Sequence, residues 1–156
     1  MDKRARIIVV DDDESIRKTL STILEDEGYA VDTAESGKEA IVKTNANFYN
    51  LALIDFRLLD MEGTELLVRI KDTVPRMRKI IITGYPTVHN AIEAVNRSAD
   101  GYLVKPFDVG KALFVIREQL KRQDDEKRFS QEKVTEFIET QVRELEGENV
   151  NGTAKC

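Results

Sequence analysis

Cysteine is nearly missing from this chain of 156 residues: the only one is Cys156, at the very end. One terminal thiol builds neither a disulfide framework nor a cysteine metal cluster. Positive charge is nowhere gathered into a stripe, and the net charge is -5. That argues against a general nucleic-acid binder, which needs a basic face. Long apolar runs are missing too. Met1 to Arg6 is basic enough to begin a signal segment, but Ile7 to Val10 is far too short to complete one and runs straight into acids. The expectation is a cytoplasmic protein without membrane contact. In that compartment the glycosylation sequon Asn151-Gly152-Thr153 goes unused. The only histidine, His89, falls near the start of a helical stretch, where a solvent-facing or capping role is expected.

With 41% hydrophobic and 34% charged residues, a chain of this length suits one domain with a proper core and a short appendage. The stretch Leu51-Ala52-Leu53-Ile54-Asp55 runs four apolar residues into a carboxylate. It suits a strand covered on both faces, as in a parallel sheet. Ile7–Val10, Tyr29–Thr33, Lys79–Thr83 and Gly101–Val104 read as further strands, the second of them an edge. Helical spacing follows each strand: Ile16, Leu20, Ile23 and Leu24; Ala40 and Ile41; Leu66, Leu67 and Ile70; Ala91, Ile92, Ala94 and Val95; Leu113, Ile116 and Leu120. Asp13 or Ser15, then Ser36, Thr87 and Asp108, are placed to cap these helices. Gly28 ends the first, and Pro75 stops the third. Met61 and Met77 read as loop packing. Strand–helix repeats of this kind, each helix about three turns, predict an α/β fold: a parallel sheet with helices on both faces.

The strand ends carry the chemistry. Strand one ends in Asp11 and Asp12, strand three in Asp55, strand four in Thr83 and strand five in Lys105. In a parallel sheet all of these lie on the carboxyl edge, where open α/β sheets bind ligands. Convergent carboxylates raise one another's pKa unless a cation is present. A hard divalent ion held by few protein ligands and several waters is the usual magnesium arrangement. Acids, Mg2+, a hydroxyl and a lysine, with no glycine-rich cradle, suit phosphoryl transfer to a carboxylate. Asp55 would attack in line while the positive groups neutralise the equatorial oxygens.

From about Arg6 to Gln123 the chain resembles the receiver domains of two-component response regulators. The resemblance rests on Val9-Val10-Asp11-Asp12, on Asp55, on Gly63 eight positions further on, on Thr83 and on Lys105-Pro106, in that order and spacing. It implies a flavodoxin-like five-stranded sheet in the order 2-1-3-4-5. It also implies that Asp55 is the phosphoacceptor and that Asp12, Asp55 and the backbone carbonyl of Arg57 hold Mg2+, with Asp11 acting mainly through water. Thr83 and Tyr102 become a switch pair, and Lys105-Pro106 a candidate cis bond that aims the ammonium into the site. Asp13 falls on a variable position and is not assigned to the metal. The phosphoryl group is implied to come from a histidine of a sensor kinase or a phosphotransfer protein. Many receivers carry proline where this chain has Leu59, which puts only the rigidity of that loop in doubt. Gly84 leaves the site open, and Arg57 and Tyr85 are expected to tune hydrolysis by screening water.

Between Lys111 and Glu146 there is neither proline nor glycine, so nothing stops the fifth helix from continuing. The expected organisation is a receiver over 1–123, an amphipathic helical extension over 124–146 and a disordered tail over 147–156. Val134, Phe137, Ile138, Val142 and Leu145 form one apolar stripe, which leaves four readings open: a second copy in a homodimer, another protein, the chain's own domain after a break near Gln123, or a merely solvated extension. The expected function is a phosphorylation-controlled interaction module acting on an unidentified protein target. It would bind no nucleic acid by itself and turn nothing over beyond its own dephosphorylation. Two alternatives stand beside it. A magnesium-dependent phosphatase with an aspartyl-phosphate intermediate would need an acid two residues past the nucleophile, where this chain has Arg57. The other is an N-terminal fragment of a larger regulator.

Overall fold

The computed structural model describes residues 4–155, with side chains as far as 147. Strands β1 (Arg6–Val10), β2 (Ala30–Ala34), β3 (Leu51–Asp55), β4 (Arg78–Thr83) and β5 (Gly101–Val104) form one parallel sheet in the order β2-β1-β3-β4-β5. Helices α1 (Glu14–Asp26), α2 (Gly37–Ala46), α3 (Gly63–Arg69), α4 (Val88–Asn96) and α5 (Val109–Lys155) alternate with them. The α/β reading and the strand order implied by the resemblance both hold.

Period-two alternation along the strands divides the core into two layers. Ile8, Val10, Ala52, Ile54 and Ile81 meet Leu66 and Leu67 of α3 and Ala94 of α4 on one face. Ile7, Val9, Leu53, Ile80 and Ile82 meet Leu20 and Leu24 of α1 and Leu113 and Ile116 of α5 on the other. Strands β3 and β4 are buried at every position, which is why they show no alternation of polarity. At roughly 2 kcal/mol for each fully buried Ile or Leu, these layers are the main cohesive force. The helix starts follow their caps. Asp13 accepts from the Ser15 and Ile16 amides, Ser36 from Glu39 and Thr87 from Asn90. Gly28 takes the left-handed φ of 95° that ends α1.

The structure differs from the sequence reading at four places. Helix α3 has 7 residues, two turns and not three. Met77 lies in the core, not in loop packing. On α4 only Ala94 is fully buried, whereas Ile92 and Val95 are 54% and 72% exposed. Val88, Ile92 and Val95 share one stripe of that helix, and the small residues Ala91 and Ala94, which permit close approach to the sheet, form the inward one. Helix α5 is recorded through Lys155, past the point where a disordered tail is expected. One glycine at 147 costs about 1 kcal/mol relative to alanine and does not by itself end a helix. The side chains of the remainder of that expected tail lie outside the described residues.

The chain divides into two compact units, one ending at Gln123 and the other beginning at Asp124. In the second, Val134, Phe137, Ile138, Val142 and Leu145 are all exposed. Among the described residues no helix is long and apolar enough to cross a membrane. In the first unit, two buried glutamines fasten α5 to the amino edge of the sheet. Gln123 Nε2 donates to the carbonyls of Asn50 and Arg76 at 2.9 and 2.8 Å, and its Oε1 accepts from Asn50 Nδ2 at 3.0 Å. Gln119 Nε2 donates to the Asp100 carbonyl at 2.9 Å. Replacing Gln123 with leucine keeps the volume but removes three hydrogen bonds at that edge, two given to backbone carbonyls and one taken from the Asn50 amide. Gln123→Leu is expected to cost about 2 kcal/mol in denaturant unfolding, and an unchanged midpoint would show that these bonds do not hold α5 to the sheet.

Candidate functional site

Strand register brings the polar residues together. Val10 pairs with Ile54, so Asp11 and Asp55 leave their strands at the same level. Thr83 pairs with Val104, and the next amide, that of Lys105, donates to the Thr83 carbonyl at 2.7 Å. Asp11, Asp12 and Asp55 each present a carboxylate oxygen within 4.8 Å of the others. Lys105 Nζ lies 3.2 Å from Asp55 Oδ1 and 3.5 Å from Asp11 Oδ2. The Lys105–Pro106 bond is cis, as is Val74–Pro75, which sequence reasoning did not single out. Thr83 is buried, and its Oγ1 accepts from the Tyr85 amide at 3.0 Å, which leaves the hydroxyl hydrogen to give elsewhere. A cavity of about 150 Å3 opens between Asp55, Arg57, Thr83, Gly84, Tyr85 and Lys105. At its rim the Arg57 guanidinium lies 4.4 Å from the centre of the Tyr85 ring, a cation–π contact.

The electrostatics are those of a site short of positive charge. Asp11 is 2% and Asp55 8% exposed. Burial first, and the Asp11 carboxylate second, push Asp55 up to about 6. Burial also raises Asp11, against the opposing pull of the Asp13 amide and Lys105. Burial alone would lower the Lys105 ammonium, but Asp11 and Asp55 outweigh it and hold that pKa above its ordinary value. Three carboxylates that each bring an oxygen within 4.8 Å of the others, with one ammonium beside two of them, fit a divalent cation such as Mg2+. The Arg57 carbonyl fits the same role. In the loop after β3 the Leu58 amide donates to Met61 and the Gly63 amide to Phe56, so among the described residues the Arg57 carbonyl accepts no backbone hydrogen bond. Asp13 is engaged in capping α1 and stands outside the cluster.

Two glycines flank the site for different reasons. A Cβ on Gly63 would lie 2.4 Å from the backbone oxygen of Asp55, so the close approach of α3 to the acid requires glycine there. A Cβ on Gly84 would meet Lys105 Cβ only at 4.0 Å, ordinary contact, so crowding does not demand that glycine.

Tyr102 pairs with Ile81, two residues before Thr83, which places Thr83 and Tyr102 on one face of adjacent strands. The ring packs half-buried against the core, and its hydroxyl is buried without a hydrogen bond of good geometry. Burial pushes the phenol above its usual pKa, and the nearby Thr83 hydroxyl pulls the other way. The ring is therefore already turned inward. His89 is exposed. Sequence reasoning missed Arg17, whose Nη1 donates to the Asp11 carbonyl at 2.6 Å, and Asp60, which ties the loop after β3 to α2. Neither belongs to a motif or to an apolar period.

A doubly wound parallel sheet with an acid cluster and a lysine at its carboxyl edge defines a class, and comparison with known proteins gives the family. The family model for the response regulator receiver domain matches residues 7–117. The crystal structure of a CheY-like response regulator receiver domain protein from Methanospirillum hungatei JF-1 is 42% identical, with a TM-score of 0.76, covering 80% of this chain and 99% of that one. The solution structure of the beryllofluoride-activated NtrC4 receiver domain dimer is 37% identical, with a TM-score of 0.71 and coverage of 76% and 98%. The alginate biosynthesis transcriptional regulatory protein AlgB of Pseudomonas putida is 34% identical over 119 residues, which is 76% of this chain but only 27% of that protein. The chain belongs to the response regulator receiver domain family of two-component systems.

The raised pKa of Asp55 has a definite sign. The folded state holds this proton from the ordinary value of 3.8 up to about 6, so ionised Asp55 costs nothing below 3.8 and its full penalty above 6. That penalty is on the order of 3 kcal/mol at neutral pH. Without divalent cation, Asp55→Asn is expected to raise the melting temperature at pH 7.5 and not at pH 4. Mg2+ should raise the melting temperature of the wild type and leave the variant almost unmoved. A variant less stable than wild type at pH 7.5 would show that the acids are not in conflict.

Proposed function

We propose that this receiver is a phosphorylation switch in which Asp55 accepts the phosphoryl group. The supporting observation is the convergence of Asp11, Asp12, Asp55 and Lys105, with the buried Thr83 hydroxyl, around one small open cavity. A carboxylate oxygen of Asp55 forms the new P–O bond as the P–N bond of a phosphohistidine breaks. The imidazole leaves with the electron pair and takes up a proton. The donor histidine belongs to a sensor kinase or a phosphotransfer protein. Asp12, Asp55 and the Arg57 carbonyl would hold Mg2+, with Asp11 acting mainly through water; bound there, the ion supplies charge for the phosphoryl oxygens. Lys105, now paired with Asp55 and Asp11, turns to one of those oxygens, and the Thr83 hydroxyl donates to another. Turnover is confined to self-dephosphorylation, since Arg57 stands where a phosphatase needs its acid.

The output is a surface. Val88, Ile92 and Val95 of α4, Val104 of β5 and Phe114 of α5 are apolar and exposed, a grouping that suits a protein partner. Movement of Thr83 toward the phosphoryl group changes the packing under Tyr102, and with it the shape of that face. The exposed stripe of the second unit reads as a further contact, with a second copy among its candidate partners. On this reading the protein works in the cytoplasm beside its kinase. The chain spans 27% of AlgB, and the transcriptional role in that name belongs to the longer protein.

Incubation with Mg2+ and acetyl phosphate, followed by intact-mass measurement, is expected to show one added phosphoryl group on wild type and none on Asp55→Asn. Steady release of phosphate with no modified species, or full modification of the variant, would overturn the switch reading.

A further inference from the structure

The loop between β3 and α3 is where this chain carries Leu59 in place of the family's common proline, and it is held in another way. The Leu58 amide donates to the Met61 carbonyl at 3.1 Å and the Gly63 amide to the Phe56 carbonyl at 2.7 Å, which pairs Arg57 with Glu62 as an isolated antiparallel bridge. That pairing leaves the Arg57 carbonyl out of the loop's own bonding. Leu59 is 87% exposed, so its side chain stiffens nothing.

The loop is fastened from outside. Asp60 Oδ1 accepts from the Gly37 amide at 2.9 Å and Oδ2 from the Lys38 amide at 2.9 Å. Both belong to the first turn of α2, whose amides the helix itself leaves without partners. Ser36 takes the Glu39 amide in the same turn, so the cap is shared between a local hydroxyl and a carboxylate more than twenty residues away. The helix dipole favours negative charge at that place. Burial works against the Asp60 charge, but the Gly37 and Lys38 amides outweigh it and hold the carboxyl below its usual range. The neighbouring residue packs onto the same turn: a Cβ on Gly37 would lie 2.5 Å from Met61 Sδ.

We propose that Asp60 is a positioning residue for the cation site. Its clamp on α2 fixes the loop that offers the Arg57 carbonyl, and so supplies the stiffness that Leu59 does not. The inference rests on the reading of Asp12, Asp55 and the Arg57 carbonyl as the Mg2+ ligands.

The test compares Mg2+ affinity by calorimetry, and amide hydrogen exchange across residues 56–63, in wild type, Asp60→Ala and Asp60→Ala/Leu59→Pro. Asp60→Ala is expected to weaken Mg2+ binding roughly tenfold and to speed exchange in the loop. Adding Leu59→Pro should recover most of that affinity, because a fixed φ restores stiffness without restoring the clamp. A residue that merely stabilised the fold would not be rescued in this way. Asp60→Asn keeps one acceptor, and an affinity between those of wild type and Asp60→Ala supports the clamp. Asp60→Ala binding Mg2+ as tightly as wild type overturns the proposal, as does a proline that recovers nothing. A wild type that binds Mg2+ and responds to Asp60→Ala but takes no phosphoryl group sinks the switch reading alone. A wild type that binds no Mg2+ overturns both.

Discussion

Repulsion among three carboxylates held at one edge of a parallel sheet is the constraint on which the rest of this structure depends. Asp11 and Asp55 leave neighbouring strands at the same level, and Asp12 follows directly. Burial keeps water from screening Asp11 and Asp55, and the Lys105 ammonium answers their charge. A sheet with apolar layers on both faces tolerates such a cluster only at its rim. The cluster stands at that rim, beyond the apolar layers, and the site remains short of positive charge. That deficit is what the proposed divalent cation, and with it the phosphoryl group, would relieve.

The surroundings distribute the consequences. Gly63 lets α3 start against the Asp55 backbone, and Asp60 ties the intervening loop to α2. On the other side, Thr83 and Tyr102 lie on one sheet face, beside a helix whose branched residues point to solvent. On the proposed switch reading, a change of charge at Asp55 would have short mechanical routes: through Thr83 toward α4 and β5, and through the loop toward α2. Thr64 of α3 adds a cross-link, donating to Glu93 of α4 at 3.1 Å. Packed elements joined in this way tend to shift between discrete arrangements, not to deform gradually, and that favours a switch.

Much of this was legible in the sequence because the site stands where strands end. There an apolar run turns abruptly polar, so Asp11, Asp12, Asp55, Thr83 and Lys105 announce themselves while the strands are being found. The inward face of α4 was not legible. Its pattern contains two stripes, Ala91 with Ala94 and Val88 with Ile92 and Val95, and hydrophobicity alone favours the wrong one, whereas closeness to the sheet favours the small residues. Asp60 and Arg17 escaped for a different reason. Each acts by a hydrogen bond to a backbone group of another element, and no local period or spacing records such a partner. The continuation of α5 beyond Gly147 shows that one glycine is a weaker stop than composition suggests.

The central claim, carboxylates in conflict that a cation relieves, is tested most directly by following the Asp55 side-chain carboxyl carbon through a pH titration by NMR, with and without Mg2+. A midpoint near 6 is expected for Asp55 in the absence of divalent ion, with a clear downward move when Mg2+ is added. A midpoint at the ordinary aspartate value that ignores Mg2+ would contradict it.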